Sequence, residues 1–501
     1  MKNGNIRISG GLGGSGVLGD EQVDVKVVAC VKEGNNSGAN DGSGGAVEKL
    51  ILVYLTLIDV ELGVGEGDSI GRTVRFLLDC KEKGQDLGNQ RPPSIFRVPR
   101  VCRDHSPTSF HPRVVSIGPL HRQDKNLQGF EVQKTTYLHH LLDRSGSNPD
   151  QTLQECVVKV SRKIKLIKSC YMESTAYNDE ELARMMVIDG CFILDFIHLL
   201  SEDDGPFPVN MLIAPSIVND LVLIENQIPF FVLKDIFEST ILQFRPKTSL
   251  TNHIKELLKH YNIFGANLVK FNVKLDTTHH DHILGFLHKC FQPAHDIPRG
   301  CRKHPKRHLT MDLDRAGVNF RPNQDANWAM AMKLELPRFS CFPWFWCKPT
   351  LKMPKVTLND DSEPVLRNLI IYEQSSLVPN YVTSYVCAMD MLIDTPEDVA
   401  KLVKSGVIAN KLCSNEKVVK MINNVCKDVA LLEFFYDREW QELDTYYSSY
   451  WPNAAAGLKR TYFSSPWNMI ALFAGVVLFV LTVVQTIFTI KAANPKIATT
   501  N

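Results

Sequence analysis

The chain of 501 residues has no excess of charge of either sign. Lys and Arg together number 56 and Asp and Glu together 55, so the formal net charge is +1. Binding to nucleic acids depends on a surplus of basic residues, and the composition therefore predicts no nucleic-acid partner. Hydrophobic residues make up 44% of the chain and charged residues 22%. These proportions are typical of globular proteins and exclude a wholly disordered chain.

Short motifs with a known chemistry are also scarce. The 13 cysteines are scattered and include no CxxC pair, which argues against a zinc ribbon and favours reduced thiols. No GxSxG, HExxH, P-loop or kinase motif is present, so we expect no enzymatic activity, no cofactor and no metal. A GxGxxG pattern occurs at residues 11–16, but a strand-like segment follows it where nucleotide binding requires a helix. A catalytic set assembled from distant Ser, His and Asp residues remains an alternative.

The pattern along the chain predicts five regions. Residues 1–45 hold 12 of the 30 glycines and are predicted to be a flexible leader, without the apolar core of a secretory signal. Residues 46–94 form a poorly defined extension. Residues 95–460 are predicted to form a mainly α-helical globular domain with a few short strands. A transmembrane helix at residues 466–490 and a polar tail at residues 491–501 complete the chain.

Apolar residues at helical spacing give the predicted helices of the domain. The segment at 182–200 is apolar nearly all round and is predicted to be buried, whereas Lys134 breaks the apolar stripe of the segment at 127–142. Residues 220–237 are predicted to form two helical pieces joined at Pro229. The remaining predicted helices are 252–260, 281–290, 365–374, 395–404 and 416–440.

The predicted transmembrane helix has the length that a bilayer requires. About 22 residues at ~1.5 Å each give ~33 Å, which matches a hydrocarbon core of ~30 Å. Pro466 fits the first turn, and Trp467 belongs to an aromatic belt at the membrane surface. Ala471 with Gly475 gives a face that permits close approach of a second helix, and Gln485 offers an amide inside the bilayer. A homo-oligomer through this span is one hypothesis, and a plain anchor is the alternative.

The orientation of this single span follows from the ends of the chain. Each side of the span carries two basic residues, so the positive-inside rule does not decide the orientation. The missing signal peptide and the 11-residue tail predict tail-anchored insertion with the large domain in the cytosol. The expected location is the plasma membrane or an endomembrane.

Three polar residues interrupt an apolar run in the middle of the domain. Glu225, Asn226 and Gln227 precede Pro229, which cannot continue a helix. Backbone groups freed at this junction need partners, and the three side chains are predicted to supply them. The alternative makes Glu225 a general acid–base group with a pKa raised by burial.

Three other stretches invite a functional interpretation. Trp344, Phe345 and Trp346 lie between Cys341 and Cys347, and they indicate either a loop that binds an unknown protein partner or the membrane, or a buried cluster. The histidines at 279–288 are predicted to be a solvated helix start rather than a metal site. The basic residues at 299–308 are predicted to be solvated, with contact to anionic lipid as the alternative.

Several blocks of the sequence resemble a plant family known as domain of unknown function 247, or uncharacterised protein family 0481. The resemblance covers about residues 95–490 and lies in the blocks PRVVSIGPLH (112–121), MMVIDGCFILDF (185–196), DLVLIENQIPFFVL (220–233), RAGVNF (315–320), RNLIIYEQ (367–374) and YFSSPW (462–467). It implies a plant protein with one C-terminal span and no established catalytic activity. Some grass members have been linked to pollen–stigma self-incompatibility. The resemblance thus implies a membrane-anchored, non-enzymatic recognition or signalling protein.

Overall fold

The structure is a computed structural model that describes residues 73–75, 92–146, 148–174, 176–201, 212–261, 263–264, 281–293, 305–323, 328–336, 348–376, 378–448 and 466–493. The chain divides into two compact units, Met1–Gly84 and Gln85–Asn501. All helices and strands named below belong to the second unit.

The first half of this unit is helical and is organised around one buried helix. Its helices are α1 (Arg100–Arg103), α2 (Glu131–Arg144), α3 (Pro149–Arg162), α4 (Ile164–Ser169), α5 (Asp179–Leu200), α6 (Ala214–Asp220), α7 (Phe230–Ser239), α8 (Ile241–Phe244) and α9 (Leu250–Leu258). A reciprocal capping box of Asn178 and Glu181 starts α5. Helices α2, α3, α7 and α9 pack against α5, since a helix that is apolar on all sides must be enclosed.

The second half combines helices with two small sheets. Its helices are α10 (Ile283–Cys290), α11 (Thr310–Arg315), α12 (Ser362–Ser375), α13 (Tyr381–Leu392), α14 (Pro396–Lys404), α15 (Asn415–Val425), α16 (Asp437–Ser448) and α17 (Pro466–Ala493). Helix α15 packs against α12, α13 and α14. Together these helices enclose the second part of the apolar core.

The strands are short and lie within the second half. They are β1 (Asn319–Asn323), β2 (Lys333–Glu335), β3 (Thr350–Pro354), β4 (Val356–Leu358) and β5 (Ile408–Asn410). One sheet has the order β1-β3-β2, with β1 parallel and β2 antiparallel to β3. The other sheet pairs β4 with β5 in parallel. The prediction of a mainly helical fold with a few short strands is therefore confirmed.

Two of the predicted helices are wrong in their extent. The chain is irregular from residue 221 to 229, so only the second half of the segment at 220–237 is helical. The segment at 416–440 contains two helices, because α15 ends at Val425 and α16 begins at Asp437. Between them Asp428 adopts a φ of 56°, a left-handed conformation that does not continue a helix. Phe434 and Phe435, which lie between the two helices, are buried in the core.

Candidate functional site

The polar triplet lies in a buried stretch of irregular chain between two helices. Helix α6 ends at Asp220, and α7 begins at Phe230, directly after Pro229 with φ −58° and ψ 137°. Residues 220–228 are at most 3% exposed. Buried backbone without helix or strand bonds needs other hydrogen-bond partners.

The amides of Asn226 and Gln227 bind backbone groups around this stretch. The Asn226 side chain accepts from the Ile117 N–H at 2.7 Å and donates to the Val115 carbonyl at 3.0 Å. Its amide nitrogen also reaches the last carbonyl of α6 at 2.9 Å. The Gln227 amide nitrogen donates to the Leu221 carbonyl at 2.8 Å. These bonds satisfy backbone groups at the junction and tie it to the segment at 112–121.

Glu225 connects the junction to the beginning of the domain. Its Oε1 accepts from the Val98 N–H at 2.7 Å and from the Arg103 guanidinium, and its Oε2 lies 3.0 Å from Nε2 of His121. The Glu225 side chain is fully buried, whereas that of Arg103 is 27% exposed. Charge-assisted bonds of this kind are among the stronger ones in proteins. The partners of Glu225 are thus distant in sequence and do not belong to the helix ends beside Pro229.

A second carboxylate, Asp220, holds the segment that Asn226 also contacts. It accepts from the N–H groups of Arg113, Val114 and Val115 at 2.9, 2.7 and 2.9 Å. Burial raises the pKa of Asp220 to about 6, although the three N–H groups act in the opposite direction. The carboxylate therefore serves as an acceptor for three consecutive amides of an otherwise irregular loop.

A third carboxylate, Asp189 of α5, binds the same loop further along the chain. It accepts from the Gly118 N–H at 2.8 Å and from Nζ of Lys134 at 2.6 Å. Lys134, which the sequence places as a break in the apolar stripe of α2, is fully buried and also donates to the Ser116 carbonyl. Gly118 has a φ of 71°, and a Cβ there would lie 2.6 Å from the Gln227 carbonyl oxygen. The loop and the polar triplet are thus in close contact.

The sequence did not reveal Asp189, Asp220, Lys134 or Glu373 as partners in such clusters. Glu373 of α12 accepts from the N–H and hydroxyl groups of Thr383 at 2.7 and 2.6 Å, and it lies 2.9 Å from the His288 ring. Three of them share one signal, a charged side chain inside a segment of mostly apolar residues, whereas Lys134 stands between polar residues. Such residues are buried and need partners, but the signal does not identify those partners.

Among the described residues, Glu225 is bonded only to nitrogen groups. A general base must lie within hydrogen-bond reach of a nucleophile or a substrate proton. Among the described residues, no hydroxyl or thiol group is bonded to Glu225 or His121. No group of three or more His, Cys, Asp or Glu side chains in this part of the chain could hold a metal ion. What the arrangement does supply is carboxylate acceptors for buried backbone amides.

The C-terminal helix α17 is the other candidate site. From Ile470 to Ile490 it is long and apolar enough to cross a membrane, and none of this stretch is buried in the protein. Trp467 is 78% exposed, and a Cβ added to Gly475 would meet nothing within 4 Å. Gln485 is exposed as well. The helix is compatible with a single membrane span that begins at Pro466, while self-association through it stays a prediction.

The other predicted surfaces are only partly described. The aromatic stretch with Trp344, Phe345 and Trp346 lies outside the described residues, so its role as a partner surface stays a prediction. Of the basic loop at 299–308, Lys306 lies 2.8 Å from Asp444 and Arg307 lies 2.9 Å from the Asp394 carboxylate. These two cations are therefore paired with neighbouring acids. Of the histidines predicted to be a solvated helix start, His282 and His288 are buried, so the prediction is wrong for both: His282 caps α10, and His288 contacts Glu373.

Comparison with known proteins places the domain in a family. The family described as plant protein of unknown function, DUF247, matches residues 95–481. The chain is 26% identical to UPF0481 protein At3g47200 of Arabidopsis thaliana, over 78% of this chain and 85% of that protein. It is 23% identical to Putative UPF0481 protein At3g02645 of the same plant, over 82% of this chain and 93% of that protein. No solved structure matches the chain. The chain therefore belongs to the DUF247 family of plant proteins of unknown function.

Proposed function

We propose that this protein is a membrane-anchored recognition or signalling protein without enzymatic activity, and that α17 is its anchor. The observation that carries the proposal is the exposure of the apolar stretch Ile470–Ile490. Its 21 residues extend over about 31 Å, the thickness of a hydrocarbon core. A soluble protein rarely leaves so large an apolar surface uncovered, whereas a bilayer covers it on all sides.

The polar groups of α17 fit the same interpretation. The hydroxyls of Thr482, Thr486 and Thr489 each donate to the carbonyl four residues earlier at 2.8 Å. Pairing of this kind satisfies the three hydroxyl donors within the hydrocarbon region. The threonines thus meet the hydrogen-bonding requirement of a lipid environment within the helix.

The polar clusters of the domain support a non-enzymatic role. The three buried carboxylates each accept hydrogen bonds from backbone amides: Glu225, Asp189 and Asp220. Such bonds hold the fold in a fixed shape, as a domain that binds a partner through its surface requires. We propose an unidentified protein partner, in a process of the kind that the family resemblance suggests, pollen–stigma self-incompatibility. The eight cysteines among the described residues are free thiols, which is consistent with a cytosolic domain.

Membrane extraction tests the anchor. We expect the full chain to stay with membranes in alkaline carbonate and to dissolve only in detergent, and we expect deletion of residues 466–490 to release it. Replacing Val480 and Val484 by Lys should weaken insertion, since a charge near the centre of a span costs about 2.5–3.5 kcal/mol. Replacement of both by Leu is the matched control and should leave the protein in the membrane. Release of the full chain by carbonate would refute the anchor.

Protease protection on sealed vesicles tests the orientation. We expect residues 92–448 to be digested from the cytosolic side while the tail after α17 is protected. Detergent should then expose both parts. Protection of the domain together with digestion of the tail would show the opposite orientation.

A further inference from the structure

The hairpin of α14 and α15 carries a strongly basic surface. Residues 401–427 contain six lysines and one acidic residue, Glu416. Lys401 forms an ion pair with Asp314 at 2.7 Å. The other five are exposed, and none of them forms an ion pair with a described residue. We call these five the lysine surface: Lys404, Lys411, Lys417, Lys420 and Lys427.

The fold places the lysines on the outside of packed helices. Helix α15 buries Val418, Met421, Ile422 and Val425, and residues three and seven positions apart return to the same side of a helix. Lys417, Lys420 and Lys427 therefore follow one outward line along α15 and just beyond its end. Lys404 ends α14, which packs against α15, and Lys411 lies in the connection between these two helices.

The acidic residues next to the lysine surface in the sequence are bonded to groups other than its lysines. The Glu416 carboxylate accepts a hydrogen bond from the Ser414 hydroxyl, and the Asp428 carboxylate lies 2.5 Å from the His105 ring. Elsewhere in the second half of the unit, Lys306 and Arg307 have acidic partners. The positive potential of the lysine surface is thus not cancelled by ion pairs within the described chain.

We propose that the lysine surface docks on anionic lipid headgroups of the bilayer that holds α17; the inference rests on the proposed function. Residues 449–465 are the only chain between α16 and α17, and 17 residues reach at most about 60 Å. A tether of this length keeps the domain close to the membrane at a high effective concentration. Positive charge near an anionic leaflet is attracted to it, and each additional lysine adds to that attraction.

The composition of the surface favours headgroups over other polyanions. All its cations are lysines, which act as hydrated point charges, whereas bidentate recognition of single phosphates relies on arginine. Residues 401–427 contain no aromatic side chain on which a nucleic-acid base could stack. A diffuse, salt-dependent attraction to a charged sheet is what such a surface provides.

Lysine footprinting of the full chain in lipid nanodiscs tests the proposal. Nanodiscs of phosphatidylcholine alone are compared with nanodiscs that also contain phosphatidylserine, and amine acetylation rates are read by peptide mass spectrometry. With phosphatidylserine we expect the lysine surface to react at least about threefold more slowly. Lys125 and Lys165, which are exposed and form no ion pair with a described residue, serve as controls and should keep their rates. Raising the salt to about 1 M, where the Debye length is ~3 Å, should remove the protection.

A charge variant links the protection to these residues. In the triple variant Lys417→Gln, Lys420→Gln, Lys427→Gln, we expect Lys404 and Lys411 to react at the same rate in both kinds of nanodisc. In a control variant, Lys125 and Lys165 are replaced by Gln instead. Phosphatidylserine should still slow the reaction of Lys404 and Lys411 in this control. Circular dichroism of each variant verifies that the helical content is unchanged.

The outcomes separate this inference from the anchor. If the protein enters nanodiscs and its lysine surface reacts equally fast with either lipid, docking is refuted and the anchor stands. If added heparin protects the lysines in phosphatidylcholine nanodiscs while phosphatidylserine does not, docking on lipid is refuted. The lysine surface then binds a soluble polyanion instead of the membrane. If the protein does not enter nanodiscs at all, the anchor fails, and the docking proposal fails with it.

Discussion

Replacement of Glu225 tests how the buried junction is held together. The Glu225→Gln change keeps the shape of the side chain and removes its charge. Its remaining oxygen can still accept from the Val98 N–H, and the new amide nitrogen then faces the His121 ring. The Arg103 guanidinium keeps its position beside the side chain but loses its anionic partner.

The magnitude follows from the burial of these groups. Hydrogen bonds to charged groups contribute about 1.5–3 kcal/mol, so we expect Glu225→Gln to lower the free energy of unfolding by roughly that amount. Glu225→Ala removes both oxygens and leaves the Val98 N–H without its partner in the core. Loss of one member of a buried pair costs about 3–5 kcal/mol, and Arg103 moderates this value because it is partly exposed.

Urea unfolding of the full chain in mild detergent measures the effect. Far-ultraviolet circular dichroism follows the helices, and the shift of the midpoint gives the change in unfolding free energy. The matched control is Glu173→Gln, because Glu173 forms a 3.1 Å ion pair with Arg97 in the same region, with side chains 48% and 44% exposed. An exposed pair contributes about 0–1 kcal/mol, so this control should stay close to the parent protein.

Two results would refute the reasoning. Equal midpoints for Glu225→Gln and the Glu173→Gln control would show that the buried bonds contribute no more than a surface pair. A Glu225→Gln protein with the stability of the parent and a complete loss of biological activity would favour the catalytic interpretation of Glu225.

Two further predictions concern a glycine and a histidine. Gly118→Ala should destabilise the fold by more than the roughly 1–2 kcal/mol of a left-handed alanine, because its Cβ would lie 2.6 Å from a backbone oxygen. Gly146 has a similar φ, 68° against 71° for Gly118, but open space where a Cβ would lie. Gly146→Ala should therefore lower the free energy of unfolding only by the backbone strain. Equal urea midpoints for the two variants would contradict the packing argument. Burial lowers the pKa of His253 from 6.5 to about 4, so the unfolded chain binds its proton first as the pH falls. The contribution of His253 to the free energy of unfolding should be fully present above pH 6.5. It should decrease by up to about 3 kcal/mol as the pH falls to 4. The His253→Gln variant keeps an N–H donor for the Leu194 carbonyl but does not titrate. We therefore expect its urea midpoint to fall less steeply across this pH range. An unchanged slope would show that His253 does not cause the loss of stability at low pH.

The sequence by itself determined the helices whose residues follow a local rule. The apolar run of α5 and the stretch Ile470–Ile490 have the spacing and length of helices, and both are helical. Pro229 also marked a helix boundary correctly, because a proline lacks the N–H that a continuing helix needs and fits at a helix start. The resemblance to the plant family rested on short blocks, and the family match confirmed it.

Only the tertiary structure decided which polar groups meet. Glu225 binds Val98 and Arg103, which lie 127 and 122 residues away along the chain, and Lys134 meets Asp189 across 55 residues. Local periodicity carries no information about such pairs, because it depends only on neighbours within a few turns. Lys134 interrupts an apolar stripe in the sequence, yet the fold buries it against a carboxylate that satisfies its charge. Burial of a charge depends on a partner, and the partner is brought into place only when distant segments pack.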